Sequence, residues 1–468
     1  MNKAVPGDGD ATPMKILVSG ATGLVGQHLV RRLLESGHDV TALSRDAGDA
    51  TLNLPVRCRV HEWTPENGHL DGSALEGIDA VVHLAGENVG GGRWSAARKR
   101  SILRSRVDGT RTLTDAITRL PACARPRVFV SASAIGFYGD RGDEILDETS
   151  DSGSGFLSDV CRVWEREARS VEAAGVRWVS LRTGVVLAKE SGALPRMLPA
   201  FRLGAGARLG NGRQWMSWIH VADLVSLLVF AIENQELQGP VNAVSPTPLT
   251  NRDFTRTLAR VLRRPAVARV PRMLLRWALG EMSSVVLASQ RVIPAAATEA
   301  GFRFDYSDLP LALTDLCADA AKELRLEMWI DRPPQEVFPF FADPNNLEAI
   351  TPRILRFRIL RASEGPIHEG ALLDYRLRLH GVRLRWRTRV EVWDPPRAFV
   401  DAQLRGPYKT WRHTHEFEEL DGGTIVRDIV RYELPLGAFG AWIAGRFVEH
   451  DLAFIFAYRR TRLLELLG

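Results

Sequence analysis

The sequence has little cysteine: only Cys58, Cys123, Cys161 and Cys317, all far apart in the chain. None of them forms a CxxC pair or another spacing typical of structural zinc, so neither a disulfide framework nor a structural metal site is expected. Residues 1–13 contain no apolar core and no cleavage-site pattern, which predicts a disordered tail. These absences favour a reducing compartment, and we expect the cytoplasm.

Long apolar runs are also missing, because charges such as Arg276 and Glu281 interrupt each one before it could cross a bilayer. No membrane span is therefore expected. The formal charge of +5 is distributed along the chain, so nucleic acid is not expected as a partner. What the chain does have is 468 residues, 45% of them hydrophobic, which is enough for two or three compact domains.

A glycine-rich turn stands near the start of the chain, between a strand pattern and a helix pattern. The segment "MKILVSG" is β-rich and apolar, "ATGLVG" supplies Gly20, Gly23 and Gly26, and "QHLVRRLLESG" has helical apolar spacing. Gly20 allows a tight turn, Gly23 lets the backbone approach a pyrophosphate, and Gly26 lets the helix pack closely. The pattern predicts a dinucleotide site with phosphate at the helix N-terminus.

The end of the next strand, "HDVTALSR", indicates which dinucleotide binds. An acidic residue there would bind the ribose 2'-hydroxyl, whereas this strand ends in Ser44 and Arg45, and Asp46 lies beyond it. Because a guanidinium favours a 2'-phosphate, we expect NADP(H) rather than NAD.

Further strand patterns, "DAVVHLAGEN", "PRVFVSAS" and "VRWVSLRTGVVL", alternate with helical sequence. This alternation predicts an α/β fold with a doubly wound parallel sheet and a ligand site beyond the carboxyl ends of the strands. The residues directly after those strands are the functional candidates, namely Trp63, Leu84, Ala85, Gly86, Glu87, Ser131 to Ser133 and Arg182. In the loop after the fourth strand, Glu87 is placed to accept from a ribose hydroxyl and Arg93 to approach phosphate, with a solvated loop as the alternative.

The segments "SGATGLVG", "HLAGEN", "SRVDGT", "VSASAIGFYG", "LRTGVVL" and "WIHVADL" resemble extended short-chain dehydrogenases/reductases. With "GEMSSVVLASQRVIPAAATEAGFRF" they resemble the atypical epimerase-like branch, sometimes labelled cell-division inhibitor. The resemblance covers 14–318 and implies a Rossmann domain whose substrate-side subdomain includes about 245–318. It places His220 and Asp223 on the substrate side, with a helix-capping role as the alternative for Asp223. The cofactor-binding set is then Gly20, Thr22, Gly23, Leu24, Val25, Gly26, Ser44, Arg45, Trp63, Leu84, Ala85, Gly86, Glu87 and Arg93.

Typical members of that family use a Ser or Thr, a Tyr, and a Lys four residues after the Tyr, and the last two are missing here. Ser133 matches the first, whereas Leu157 and Cys161 fall on the Tyr and Lys positions. A phenol needs a nearby cation to act as an acid near neutral pH, so the usual mechanism is doubtful. Three alternatives remain: Tyr138 or a water held by Ser133 supplies the proton, the protein binds NADPH without turnover, or it isomerises a substrate by transient oxidation. For Tyr138, simple packing after the strand is the competing interpretation.

A second domain is predicted at 322–468. Apolar and polar residues alternate strictly in its segment "LLDYRLRLHGVRLRWRTRVEVWDPP", which predicts an antiparallel hairpin with one solvent-exposed face. The segments "FADPNNLEAITP", "WDPPRAFV" and "GPYKTWRHTHEF" resemble the polyketide-cyclase and START-like (SRPBCC) superfamily, which implies an α+β helix-grip fold around an apolar cavity. Its closing helix would bury Phe439, Trp442, Ile443, Phe447, Leu452, Ile455 and Phe456. His413 and His415 share a strand face, but the spacing shows no third ligand, so no metal is expected.

The leading expectation is an NADP(H)-dependent oxidoreductase or isomerase for a small lipophilic carbonyl compound. Ser133 and Tyr138 are the catalytic candidates, and Arg182 and His220 are the substrate candidates. The rival expectation is a non-catalytic protein that senses NADPH or carries a ligand. The expected partners are a small-molecule substrate and a lipophilic ligand in the second domain; neither the substrate nor the oligomeric state follows from these residues.

Overall fold

The computed structural model describes residues 12–68, 70–318, 322–363, 367–435 and 437–468, apart from the side chains of 52, 67 and 437–446. The first eleven residues of the predicted tail, and the side chains of Phe439, Trp442 and Ile443 of the predicted closing helix, lie outside the described part. The chain divides into two compact units, of which the first ends at Ala318 and the second runs to Gly468. Among the helices described, none combines the length and the apolar character needed to cross a membrane.

Strands and helices alternate along the first unit. Its strands are β1 (Lys15–Ser19), β2 (Asp39–Ser44), β3 (Arg59–Glu62), β4 (Ala80–His83), β5 (Val128–Ala134), β6 (Ile145–Leu146), β7 (Arg177–Thr183), β8 (Val185–Leu187), β9 (Ala207–Leu209), β10 (Trp215–Met216), β11 (Trp218–His220), β12 (Gly239–Ala243), β13 (Leu249–Thr250), β14 (Ala268–Val270) and β15 (Arg291–Val292). Its helices are α1 (Leu24–Glu35), α2 (Ala47–Asn53), α3 (Ala96–Arg119), α4 (Phe156–Arg169), α5 (Ala193–Arg202), α6 (Val221–Glu233), α7 (Asn251–Leu262), α8 (Arg272–Leu279), α9 (Ser283–Leu287), α10 (Ala295–Glu299) and α11 (Leu309–Cys317).

The main sheet of the first unit has the order β12-β7-β5-β4-β1-β2-β3, and every neighbouring pair is parallel. Alternate side chains of its strands enter two separate cores: Ile16 and Val18 pack with residues of α1 and α6, whereas Leu17 packs with residues of α3. Helices therefore cover both faces, which is why the strands are almost continuously apolar. The predicted doubly wound sheet is confirmed.

One predicted strand, "VRWVSLRTGVVL", is split into two. The strand β7 ends at Thr183, and after Gly184 the strand β8 pairs in parallel with β11 outside the main sheet. A Cβ at Gly184 would lie 2.6 Å from the Ser217 carbonyl oxygen, so only glycine allows the two backbones to approach this closely. This break directs the chain from the sheet towards the smaller elements that follow.

The second unit, as far as the structure describes it, is an antiparallel sheet with α-helices near its beginning and at its end. Its elements are β16 (Lys322–Ile330), α12 (Pro334–Ala342), α13 (Asn346–Ala349), β17 (Arg358–Ala362), β18 (Leu372–Leu379), β19 (Val382–Asp394), β20 (Ala398–Arg405), β21 (Thr410–Leu420), β22 (Gly423–Glu433) and α14 (Gly437–Leu467). The sheet order is β16-β22-β21-β20-β19-β18-β17, consistent with the expected helix-grip fold.

The hairpin predicted for this unit is present, whereas one residue predicted to be buried by the closing helix is exposed. The strands β18 and β19 form the hairpin, with Trp386 and Val390 buried and the arginines between them exposed, as the alternation predicts. In α14, Leu452 and Phe456 are buried, but Phe447 is 71% exposed, so the expectation that it would be buried is wrong. Phe447 lies on a different side of the helix from those two residues.

Candidate functional site

The turn between β1 and α1 is tightly packed backbone. Gly20 has φ +71°, and a Cβ there would lie 2.8 Å from the Ala85 nitrogen. A Cβ at Gly26 would lie 2.2 Å from the Gly20 carbonyl oxygen, so the helix packs against the turn at a distance that only glycine permits. The three glycines thus hold the geometry that a dinucleotide turn requires.

The beginning of α1 has no side-chain cap. Gly23 is the N-cap residue, and within the described residues the helix has no side-chain cap. Thr22 is exposed and Leu24 and Val25 are half-buried, so these amides lie near the surface of the turn. Uncapped amides at a helix N-terminus, together with the helix dipole, fit a pyrophosphate.

The acidic residue that follows β2, Asp46, is engaged in a helix cap. The Asp46 carboxylate caps α2 by accepting from the Asp49 backbone N–H at 2.9 Å. The Ser44 hydroxyl donates to the Asp46 carbonyl oxygen, and Arg45 is exposed. Trp63 is buried and contributes its backbone N–H to the Ser44 carbonyl oxygen, so its indole packs in the core. The exposed guanidinium, rather than the capping carboxylate, is the group available to a ribose substituent.

The loop after β4 is held by arginines of α3. The Arg106 guanidinium donates to the Glu87 carbonyl oxygen at 3.0 Å and lies 5.0 Å from the Trp164 ring centroid. Burial lowers the pKa of Arg106. The Glu87 carboxylate is paired with Arg98 at 2.9 Å, and Arg93 donates to the Trp277 carbonyl oxygen at 2.7 Å. Both Glu87 and Arg93 therefore have protein partners in this structure.

Ser133 lies at the end of β5 and belongs to a buried polar network. Its hydroxyl donates to Glu165 of α4 at 2.7 Å, and Arg182 of β7 donates to both oxygens of the same carboxylate at 2.9 Å. Burial alone would lower the pKa of Arg182, but its bonds to Glu165 and Tyr138 raise it. Arg182 is thus buried as the partner of Glu165, and its place as a substrate residue is not supported by this contact.

Tyr138 is fully buried in the same network. Its hydroxyl donates towards the Asp147 carbonyl oxygen and the Asn242 side chain, each at 2.8 Å, and accepts from Arg182 at 3.0 Å. Burial raises the pKa of Tyr138 to about 12. These contacts favour the packing interpretation over proton transfer.

The two positions that lack Tyr and Lys face Ser133 and the following loop. A Cβ at Gly136 would lie 3.2 Å from the Leu157 Cβ, and the Cys161 thiol lies 3.6 Å from the Ala134 carbonyl oxygen. Burial raises the pKa of Cys161 to about 11, so the thiol stays protonated at neutral pH and gives no cation. Leucine and thiol do not reproduce the missing acid pair.

A cleft of ≈ 1030 Å³ opens beyond the carboxyl ends of β4, β5 and β7. Leu84, whose backbone closely approaches Gly20, forms part of its wall, and Ser133 forms another part. The other walls are largely aromatic and aliphatic and include Trp94, Phe156, Leu157, Trp164, Val185 and Leu287. The cleft is large enough for a cofactor fragment and a small apolar molecule together.

His220 and Asp223 have structural partners near this region. The His220 ring caps α6 by accepting from the Ala222 backbone N–H, and it stacks on Tyr306 with centroids 3.7 Å apart. Burial raises the pKa of Asp223 to about 6, and its carboxylate accepts from the backbone N–H groups of Asp305 and Tyr306. The cap is therefore His220, whereas Asp223 anchors the segment that leads into α11.

The second unit has a separate, partly open cavity of ≈ 190 Å³ between its sheet and α14. Trp386, Phe399, Leu452 and Phe456 are among its apolar lining residues. A polar cluster meets this apolar surface, formed by Asp401, His413, His415, Asp428 and Arg459. Burial lowers the pKa of His413 to about 4. Burial alone would raise the pKa of Asp428, but Arg459 and the two imidazoles hold it well below its usual range.

Comparison with known proteins agrees with this division. The model described as NAD dependent epimerase/dehydratase family matches residues 16–244, and a domain of unknown function, DUF1731, matches 270–316. The model described as polyketide cyclase / dehydrase and lipid transport matches 330–453. An epimerase family protein of Mycobacterium leprae is 39% identical over 300 residues, 64% of this chain and 94% of that protein. The chain belongs to the epimerase family.

Other epimerase family proteins match the same region. YfhF of Bacillus subtilis is 40% identical over 307 residues, 65% of this chain and 99% of that protein. The crystal structure of human epimerase family protein SDR39U1 (isoform2) with NADPH has a TM-score of 0.58 and 32% identity, covering 65% of this chain and 99% of that one. These matches confirm the resemblance stated from the sequence motifs.

Two functional features of this epimerase family protein were not singled out from its sequence. Arg106 lines the cleft, and its only signal was its place in the "SRVDGT" motif. Glu165 binds both Ser133 and Arg182, and no sequence motif indicated this role. Both roles depend on contacts across 17 or more residues of sequence, which spacing alone does not reveal.

Proposed function

We propose that this epimerase family protein uses NADPH to reduce a small, lipophilic carbonyl compound in the cleft of its first unit. The observation that carries the proposal is the continuity of the site. The backbone of Leu84 closely approaches Gly20 of the turn, and Leu84 also lines the same cleft as Ser133. A nucleotide seated on the turn would therefore reach a largely apolar space beside the serine.

The residues of the turn fit a dinucleotide phosphate. Gly20, Gly23 and Gly26 leave the space, and the uncapped amides at the beginning of α1 supply hydrogen-bond donors. Arg45 is exposed at the end of β2, while Asp46 is committed to its helix cap, so a 2'-phosphate meets a cation rather than an acid. NADPH bound there would supply a hydride.

The proton would come from water rather than from a side chain. Because Ser133 donates its own proton to Glu165, the lone pairs of its oxygen remain as acceptors. A water that donates one hydrogen to Ser133 can donate the other to a substrate carbonyl, and the hydroxide left behind is reprotonated from solvent. Arg182 binds both oxygens of Glu165, and this contact holds the carboxylate where it accepts from the serine.

For the second unit, the proposed role is to bind a lipophilic ligand. The support is its largely apolar, partly open cavity and its match to a model whose description includes lipid transport.

A non-catalytic NADPH sensor is the second candidate, because Leu157 and Cys161 occupy the positions of the acid pair. A screen of the full chain distinguishes the reductase from the sensor. Lipophilic aldehydes, ketones and quinones are tested as substrates, and the absorbance of reduced nicotinamide is followed. The proposal expects oxidation that is lost in Ser133→Ala with NADPH affinity unchanged, while Ser180→Ala, which changes a buried serine on the neighbouring strand β7, retains activity. Tight NADPH binding without oxidation of any acceptor favours the sensor.

A further inference from the structure

Three side chains with metal-ligand chemistry converge in the second unit. Asp401 of β20 lies directly across from His413 of β21, and His415 follows on the same face of that strand. One ligand atom from each side chain lies within 4.8 Å of the others. Asp401 is the third ligand that the sequence spacing did not reveal, because the pairing of β20 with β21 brings it there.

The two imidazoles are oriented by one buried carboxylate. Asp428 Oδ1 lies 3.1 Å from His413 Nε2 and 2.7 Å from His415 Nδ1. The His413 Nε2 contact is a hydrogen bond, whereas the His415 Nδ1 contact is close but not aligned as one. A proton on each of these nitrogens is the neutral tautomer in which both contacts to the carboxylate are attractive. The remaining nitrogens, His413 Nδ1 and His415 Nε2, therefore present lone pairs.

Both lone pairs face another acceptor. Asp401 Oδ1 lies 3.7 Å from His413 Nδ1 and 3.6 Å from His415 Nε2. Three acceptor atoms that converge without a proton between them repel one another, and a cation at their centre removes the repulsion. Ligands bound to one metal at about 2.1 Å lie about 3 to 3.5 Å apart, so only a small inward movement is needed.

We propose that Asp401, His413 and His415 bind a divalent transition-metal ion, with Asp428 holding the two imidazoles from behind. Two imidazoles and one carboxylate suit zinc or iron(II) rather than calcium or magnesium. Three protein ligands leave at least one coordination position open, as in catalytic rather than structural metal sites. A carboxylate on the second nitrogen of a ligating histidine is the usual support for such a site.

The charges and the cavity indicate what occupies the open position. Arg459 lies 3.8 Å from the other oxygen of Asp428 and balances the charge of that carboxylate. In the part of the chain that the structure describes, Asp401 pairs with the two imidazoles and with no lysine or arginine. A divalent ion together with one anionic oxygen would then make the cluster neutral. All three ligands line the apolar cavity. The site thus fits an apolar molecule that coordinates through an enolate or phenolate oxygen, and the metal proposal stands whether or not the first unit reduces anything.

Metal binding is tested on the full chain, purified without a histidine tag and stripped with a chelator. Equilibrium dialysis against zinc is expected to give one tightly bound ion per chain, and cobalt(II) is expected to give the visible spectrum of a site with nitrogen and oxygen ligands. Absence of a bound ion, or a cobalt spectrum identical to that of the aqueous ion, would overturn the proposal. These two measurements need no variant.

Substitutions then locate the ion. Asp401→Asn keeps the size of the side chain and is expected to weaken zinc binding more than 100-fold, and Asp428→Asn is expected to weaken it about 10- to 100-fold. His450→Ala is the matched control, because His450 is exposed on α14 in the same unit. Unchanged zinc affinity in folded Asp401→Asn, with circular dichroism as in the wild type, would contradict the site. If that variant does not fold, His415→Gln provides the same comparison, and the cobalt spectrum of the wild type still decides.

Discussion

The hydroxyl of Ser133 donates a 2.7 Å hydrogen bond to Glu165, and the same carboxylate is bound through both oxygens by Arg182. The serine is therefore held by a buried ion pair instead of by a neighbouring tyrosine. The Cys161 thiol also contacts the serine hydroxyl, which leaves one lone pair of the serine oxygen for water at the cleft. The buried ion pair also makes the orientation of the serine depend on the charge of Glu165.

Loss of the negative charge of Glu165 should lower the free energy of unfolding. Glu165→Gln leaves Arg182 buried with a neutral partner, and we expect the free energy of unfolding to fall by about 3 kcal/mol. Glu167→Gln is the control two residues along the same helix, where the partner Arg111 is half exposed, and there we expect less than about 1 kcal/mol. Denaturant unfolding measures both. Equal losses in the two variants would show that the buried pair has no special role.

Arg45 should set the choice of nucleotide. Arg45→Ala removes the cation at the end of β2, and we expect NADPH affinity to fall about 10- to 100-fold with little change for NADH. Arg59→Ala, exposed on the adjacent strand β3, should leave both affinities unchanged. Calorimetric titration with the two nucleotides measures this. A preference for NADPH that survives in Arg45→Ala would assign the 2'-phosphate to another residue.

His83 should make the protein sensitive to acid. Burial lowers the pKa of His83 to about 3, below its value of 6.5 in the unfolded chain. Its contribution to stability is thus complete above pH 6.5 and is lost as the pH falls towards 3, because only the unfolded state takes up the proton. Between pH 7 and 5 this amounts to about 2 kcal/mol.

The test compares unfolding free energies at both pH values in wild type and His83→Gln. We expect a smaller loss at pH 5 in the variant, since glutamine does not titrate. Identical losses would show that other groups carry the whole pH dependence.

The cavity of the second unit should bind apolar probes. Ile455→Trp fills space at its lining, and we expect binding of 1-anilinonaphthalene-8-sulfonate to weaken at least about 10-fold. Phe454→Trp is the control, because residue 454 precedes it on the same helix and is 52% exposed. Fluorescence titration measures the affinity. Equal binding by the two variants would place the probe on the surface.

Local patterns predicted the elements more readily than the contacts between them. The glycine turn and the alternation of β18 and β19 were readable because periods of two and of 3.6 residues encode which side is buried. The polar networks were not readable: Glu165 reaches Ser133 over 32 residues, and Asp401 meets His413 only through strand register. Likewise, the hydrogen bond from Arg182 to the Tyr138 hydroxyl depends on tertiary packing.

Transfer of deuterium from labelled NADPH tests the central claim most directly. The full chain is incubated with an extract of lipophilic cell metabolites and with NADPH that carries deuterium at its reactive carbon, and the products are analysed by mass spectrometry. We expect a product that has gained one deuterium at carbon with the wild type, and its loss with Ser133→Ala. Deuterium in no product, while calorimetry shows the site saturated with NADPH, would contradict a reductase.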